Sequence, residues 1–178
     1  DTKNVAGMIN CPLDKSLLKK NMYGVTEYLA FKCGIKNNSE VMLLKNKKLS
    51  VSPITTHTDI SLISKKIKKE KIIKKVKIIN NWFIKKFNKN PRIGILGLNP
   101  HNAEFRRNSE EVKEIIPAIT KLKKIGIKLK GPLVADTLFI NEYKKFNVIV
   151  GMYHDQVLAP FKALFKFDAI NITLGLKY

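Results

Sequence analysis

Asn147-Val148-Ile149-Val150-Gly151-Met152-Tyr153-His154-Asp155-Gln156 is the stretch that decides how this chain reads. The unbroken apolar run from Val148 to Met152 is that of a strand covered on both faces, as in a parallel sheet packed between helices, since alternation develops only where one face meets water. A histidine follows at once. Two further stretches repeat the arrangement: Arg92 to Leu98 leads through Asn99-Pro100 to His101, and Leu49 to Ile54 leads through Thr55-Thr56 to His57. These are the three histidines of the chain. Ligands of open α/β sheets gather at strand carboxyl ends, and neutral imidazole is the commonest protein ligand for transition metals. His57, His101 and His154 therefore read as one metal site that leaves open positions for substrate. Their separations of 44 and 53 residues are unlike the short spacings of zinc fingers, so only the fold can bring them together.

Outward from these strands the elements alternate. Val5 to Asn10 reads as a strand closed by Cys11-Pro12, and Thr26 to Cys33 as a short helix ended by Gly34. Val41 to Leu44 and Leu49 to Ile54 flank Asn46-Lys47 as an antiparallel hairpin. Thr58 or Asp59 can cap a helix from about Ile60, and a second helix covers Lys71 to Phe87 until Asn90-Pro91 breaks it. Asn108 and Glu111 have capping-box spacing for a helix to Lys124, loosened at Pro117 and stopped by Gly126. Past Gly131-Pro132 and Ala135 to Phe139 come a short helix near Glu142 to Lys145, the strand ending at Met152, and a last strand from Ala169 to Leu174. The fold class is α/β: a mixed sheet flanked by helices, largely parallel with an antiparallel part. No internal boundary is evident within 1–178.

Composition narrows the function classes. No stretch of 18 uncharged apolar residues occurs, and no signal-peptide pattern, so neither a membrane span nor export is indicated. Cys11 and Cys33 have no metal or redox spacing and read as reduced thiols of a cytoplasmic protein. The net charge of +20 invites a nucleic-acid reading. Yet of 34 basic residues only Arg92, Arg106 and Arg107 are arginine, leaving 31 lysines, whereas readers of phosphate and guanine lean on the arginine fork. The lysines concentrate in Lys65-Lys66-Ile67-Lys68-Lys69-Glu70-Lys71 and beyond, interleaved at helical spacing with Ile72, Ile73, Val76, Ile79, Phe83 and Phe87. That is a solvated helix face over an apolar one.

At Gly97-Leu98-Asn99-Pro100-His101, Gly131-Pro132-Leu133-Val134-Ala135-Asp136-Thr137, Met152-Tyr153-His154-Asp155-Gln156 and Asn171-Ile172-Thr173-Leu174-Gly175-Leu176, the chain resembles the 4-hydroxythreonine-4-phosphate dehydrogenase family of vitamin B6 biosynthesis. The resemblance runs over essentially all 178 residues. It implies a fold similar to isocitrate and isopropylmalate dehydrogenases, with a two-lobed subunit in a homodimer whose active sites lie at the subunit interface. Residues 1–178 would then be the central and later part of one subunit, without the family's N-terminal third and C-terminal tail.

The resemblance also implies roles. The family's three metal-binding histidines fall on His57, His101 and His154, with the last supplied by the partner subunit. Its substrate-contacting His-Thr pair falls on Val25 and Thr26, so the histidine is lost here. Its substrate-binding lysine and asparagine fall on Lys162 and Asn171, and a substrate-binding arginine falls just past Tyr178. The glycine-rich segment after the second histidine is replaced by Phe105-Arg106-Arg107-Asn108. The implied reaction is metal-dependent oxidation of 4-phosphohydroxy-L-threonine by NAD or NADP, giving a β-keto acid that loses carbon dioxide. A divalent metal (zinc, magnesium or cobalt) suits both steps, because it stabilises negative charge on oxygen. Asp136 and Asp155 are candidates for orienting ligand imidazoles or for accepting a proton. No Gly-x-Gly-x-x-Gly occurs, so a Rossmann cofactor site is not expected. Val25 keeps alive a paralogous dehydrogenase of 4-phosphothreonate or 4-phosphoerythronate, and the non-enzymatic alternative is a truncated remnant without turnover.

The expected partners are thus a small phosphorylated hydroxy amino acid and a second copy of the chain, with no membrane and no specific nucleic acid. If the lysines are a solvated surface, filter-binding titrations should give only sequence-blind binding in the range of about 10⁻⁴–10⁻⁶ M at physiological salt, falling steeply as salt rises. Sub-micromolar, sequence-selective binding would overturn the expectation.

Overall fold

A computed structural model describes residues 40–176 together with Asp14, Tyr28 and Lys32. The expected strand from Val5, most of the helix from Thr26, and the positions Cys11, Cys33, Val25 and Thr26 lie outside the described residues. The described chain builds one six-stranded sheet from β1 (Val41–Lys45), β2 (Ser50–Thr55), β3 (Ile93–Leu96), β4 (Leu129–Leu133), β5 (Val148–Tyr153) and β6 (Ile170–Leu174), in spatial order β4-β3-β5-β2-β1-β6. β4, β3, β5 and β2 are mutually parallel, and β1 runs antiparallel to both β2 and β6. The hairpin forms at Asn46, whose side-chain oxygen accepts from the amides of Lys48 and Leu49 at 2.7 and 2.8 Å, so one side chain closes the turn.

Helices cover both faces, which is why β2 and β3 are buried along their whole length. On one face lie α1 (Ile60–Lys66), α2 (Lys69–Phe87) and α3 (Ile116–Lys124). Ile72, Val76 and Ile79 of α2 and Ile119 and Leu122 of α3 pack there against Val41, Leu43, Ile54, Ile93, Ile95, Val148 and Val150. On the other face α4 (Ala135–Leu138) and α5 (His154–Phe165) place Leu138, Val157, Leu158 and Phe161 over Leu49, Val51, Leu96 and Ile149. Lys65, Lys66, Lys68, Lys74, Lys77, Lys85 and Lys86 line the exposed side of α1 and α2, whereas Lys75 is buried. Among the described residues no helix is long and apolar enough to cross a membrane.

Four local expectations need correction. Residues after His154 form α5, which the sequence pattern did not announce, because Pro160 falls inside it and removes one backbone donor. His154 is therefore the first residue of a helix rather than the tail of a strand. Gly131-Pro132, to which the sequence reading gave no strand, lies within β4, where the glycine lets the chain approach β3 closely: a Cβ at Gly131 would collide with the Ile95 carbonyl oxygen. Asn108 and Glu111 form no capping box; Ser109 Oγ accepts from the Val112 amide at 3.4 Å instead. The helix opens with a wide turn over Glu111–Ile115, in which the Ile116 amide reaches back to the Glu111 carbonyl, so Pro117 sits at the start of α3 and causes no interior kink.

Glu111 is spent on the loop after β3. Fully buried, its carboxylate accepts from the Leu98 and Asn99 amides, each at 2.8 Å, and from Asn99 Nδ2 at 3.0 Å. Burial pushes the carboxyl up, but the donors of Asn99 and Leu98 outweigh it and hold Glu111 below the ordinary carboxylate value. Beyond this anchor the chain makes a turn over Pro100–Phe105 in which His101, Asn102, Ala103, Glu104 and Phe105 all take φ between 49° and 57°. Left-handed backbone costs a non-glycine residue roughly 1–2 kcal/mol, so this turn is strained and its anchors must hold it.

Two predictions follow from this loop. Glu111→Gln should lower stability by about 1.5–3 kcal/mol, the range for hydrogen bonds to a charged group. Because the folded pKa is depressed, that loss should be full above the unfolded value of about 4.3 and should shrink as pH falls through the folded pKa. Denaturant melts of both proteins between neutral and acid pH measure it, and a difference independent of pH would contradict it. Glu104→Gly, at an exposed left-handed position, should stabilise by about 0.5–1 kcal/mol, read as a raised thermal midpoint.

Candidate metal centre at the carboxyl edge

Parallel register sets the heights of the three histidine loops. Ser50 and Ile93 both pair with Val148, and Thr55 with Tyr153, so β2, β3 and β5 begin level and reach one common edge. His57 follows β2 with a left-handed φ of 42°, His101 stands in the left-handed turn after β3, and His154 opens α5 directly after β5. The His57 and His154 rings meet at 6.0 Å between centroids, tilted by 37°. His101 stays apart from that pair: among the described residues no three His, Cys, Asp or Glu side chains converge closely enough to hold a metal ion. Within one chain, His57 and His154 come together, and the three histidines do not form one cluster.

Metal–nitrogen bonds of about 2.0–2.1 Å would place two imidazole centroids on one ion about 5–6 Å apart, and the 6.0 Å separation of this pair lies at the upper end of that range. Asp155 Oδ1 stands 2.7 Å from His154 Nδ1. A carboxylate on that nitrogen holds its proton there and leaves Nε2 with a free lone pair. Asp155 is itself largely solvent-exposed, and it lies in the first turn of α5, where negative charge is favoured.

Hydrogen bonds fasten the edge. Thr55 Oγ1 donates to the Met152 carbonyl at 2.8 Å, joining the ends of β2 and β5. Gln156 Oε1 accepts from the Met152 amide at 2.7 Å while its Nε2 donates to the Gly97 carbonyl, also at 2.7 Å, joining β5 to β3. Asn99 Nδ2 also donates to Glu110 at 2.9 Å, and Glu110 accepts from the Ser64 hydroxyl, which ties the β3 loop to α1. Ser64 first and Asn99 next hold the Glu110 carboxyl below its ordinary pKa. The sequence reading missed Gln156, Asn99, Glu110 and Glu111. Each sits within or near a recognised motif, but its partner lies 11 to 59 residues away.

The other expected site residues are scattered. Asp136 is exposed beyond β4, with its Oδ1 2.8 Å from the Thr137 amide. Lys162 is exposed on α5, eight residues from His154, which is about 12 Å along the helix at 1.5 Å per residue. Asn171 pairs with Leu44, level with Val51 and Ile149, and so lies near the amino ends of β2 and β5. Because Ile172 and Leu174 pack against the α2 face, Asn171 belongs to the α5 face. Thr26 lies outside the described residues. A Cβ at Gly97 would collide with Asn102 Oδ1 and one at Gly131 with the Ile95 carbonyl oxygen, so protein atoms already take the space at both glycines.

Comparison with known proteins agrees with this architecture. The family model described as pyridoxal phosphate biosynthetic protein PdxA matches residues 1–178. The chain is 42% identical over 179 residues to the 4-hydroxythreonine-4-phosphate dehydrogenase of Aquifex aeolicus, covering 98% of this chain and 55% of that protein. It is 39% identical over 179 residues to an Oceanobacillus iheyensis protein provisionally named D-threonate 4-phosphate dehydrogenase, covering 97% and 53%. Among solved structures, the crystal structure of a 4-hydroxythreonine-4-phosphate dehydrogenase from Burkholderia phymatum aligns with a TM-score of 0.76 at 37% identity, over 86% of this chain and 47% of that one. The chain spans about half the length of the curated relatives it matches. With the family model matched from end to end and identity of this order, the chain belongs to the PdxA family of pyridoxal phosphate biosynthetic proteins.

Proposed function

We propose that this chain is the central and later part of a two-lobed, metal-dependent NAD(P) oxidoreductase. Its substrate is 4-phosphohydroxy-L-threonine, oxidised to a β-keto acid that decarboxylates to 3-amino-1-hydroxyacetone 1-phosphate. The observation that carries the reading is the His57–His154 pair at a parallel-strand edge, 6.0 Å apart, with Asp155 on His154. It is supported by a 42% identical relative named for that activity.

In this reading His57, His101 and His154 hold the cation. As the resemblance implies, His154 is supplied by a second copy of the chain, in a cytoplasmic homodimer. Three nitrogen donors suit zinc or cobalt better than magnesium, which prefers oxygen. When bound, the cation would supply Lewis acidity toward a substrate oxygen and the nicotinamide a hydride acceptor. The chain's own residues bind and orient. Asp155, on His154 Nδ1, and Asp136, in α4 just past β4, are the candidates for orienting ligand imidazoles or accepting a proton. The resemblance assigns Lys162, Asn171 and Thr26 to substrate binding, the lysine as a point charge for phosphate or carboxylate and the other two as hydrogen-bonding groups that fix orientation.

A second reading is oxidation of a phosphorylated hydroxy acid such as 4-phosphothreonate or 4-phosphoerythronate. It is favoured by the 39% identical relative and by Val25 at a position that the resemblance assigns to substrate contact. Initial rates of nicotinamide reduction by the full-length protein with the amino and non-amino substrates decide between them. Turnover with 4-phosphohydroxy-L-threonine at least tenfold above the others is expected, and the reverse order selects the second reading. His57→Ala, His101→Ala and His154→Ala should each abolish turnover and stoichiometric zinc while the fold survives; stoichiometric zinc in the triple variant would sink the metal reading.

A further inference from the structure

We infer that Gln156 is a positioning residue that sets where His154 stands relative to the β3 edge, through one amide that bridges the ends of β5 and β3. The inference rests on the metal-site reading of the histidines. Both ends of the side chain are engaged at 2.7 Å, Oε1 by the Met152 amide and Nε2 by the Gly97 carbonyl. The first contact folds back over the start of α5 from its third residue, much as the glutamine of a capping box does, and so fixes the turn that carries His154. The second fixes that turn against β3, four residues before His101.

Gly97 is the junction of this bracing. Its amide donates to the Leu133 carbonyl at 3.0 Å, and a Cβ there would press on Glu111 Oε1, the anchor of the Asn99 loop. One peptide therefore receives the Gln156 bridge on its carbonyl side and lies against the Glu111 anchor. Backbone pairing cannot replace this link, because β3 stops at Leu96 and β5 at Tyr153. Past those residues, among the described residues, the Gln156 side chain joins the end of β5 to the end of β3. Residues that orient metal ligands through such contacts typically change metal affinity by about 10–100-fold when lost.

The test uses the full-length protein and cobalt(II), read by its visible absorption and by competition with a chelator. Gln156→Met keeps the length and removes both hydrogen bonds. Gln156→Asn keeps the amide but is one methylene too short to span both partners. Both variants should bind cobalt about 10–100-fold more weakly than the unmodified protein, with a shifted visible band. Should Gln156→Met fold poorly, Gln156→Asn carries the comparison alone. A lowered thermal midpoint with unchanged cobalt affinity and spectrum would mean a merely structural glutamine and overturn the inference. Failure of the unmodified protein to bind cobalt would overturn it too, and is distinct because it removes the histidine reading itself.

Discussion

The parallel pairing of β3, β5 and β2 is the constraint on which the rest of the structure depends. Parallel strands cannot be joined by tight turns, so each connection must cross over a face, and those crossings supply the helices that bury both sides of the sheet. The same geometry sends every strand out at one edge and gathers there the loops that carry His57, His101 and His154. A one-residue slip of β5 against β2 would invert its side chains and move His154 along the edge. The Thr55 contact to the Met152 carbonyl and the Gln156 contact to the Gly97 carbonyl stand at the places where such a slip would show.

Beyond the strand ends the backbone ladder stops, and side chains take over. Buried carboxylate and amide groups are strong constraints there because burial makes an unmet partner costly. Glu111, paired with the amides of Leu98 and Asn99, holds the approach to His101. The turn that follows takes left-handed backbone through five residues, none of them glycine. Without glycine's intrinsic freedom, the conformation of that turn is held by bracing.

Much of the fold was legible along the chain, and the failures have specific causes. The β1–β2 hairpin, α1, α2, β3, β5 and β6 declare themselves through apolar runs or helical spacing, because each buries a continuous face. β4 was hidden by Gly131-Pro132, whose ordinary meaning is a turn. α5 was hidden by Pro160 and by His154, which looked like the end of a strand. Glu111 has capping-box spacing from Asn108, yet the Leu98 and Asn99 amides claim its carboxylate.

By itself the sequence determined the α/β class, the histidines at strand ends and the family, since apolar runs and short motifs are local properties that survive without coordinates. Only the tertiary structure decided that His57 faces His154, that Asp155 takes the His154 ring nitrogen, and that Lys162 and Asn171 lie away from that edge. The physical reason is that these relations depend on strand register and helix direction. Contacts such as Thr55 with Met152 or Gln156 with Gly97 join residues 97 and 59 positions apart, and no local pattern encodes a partner at that distance.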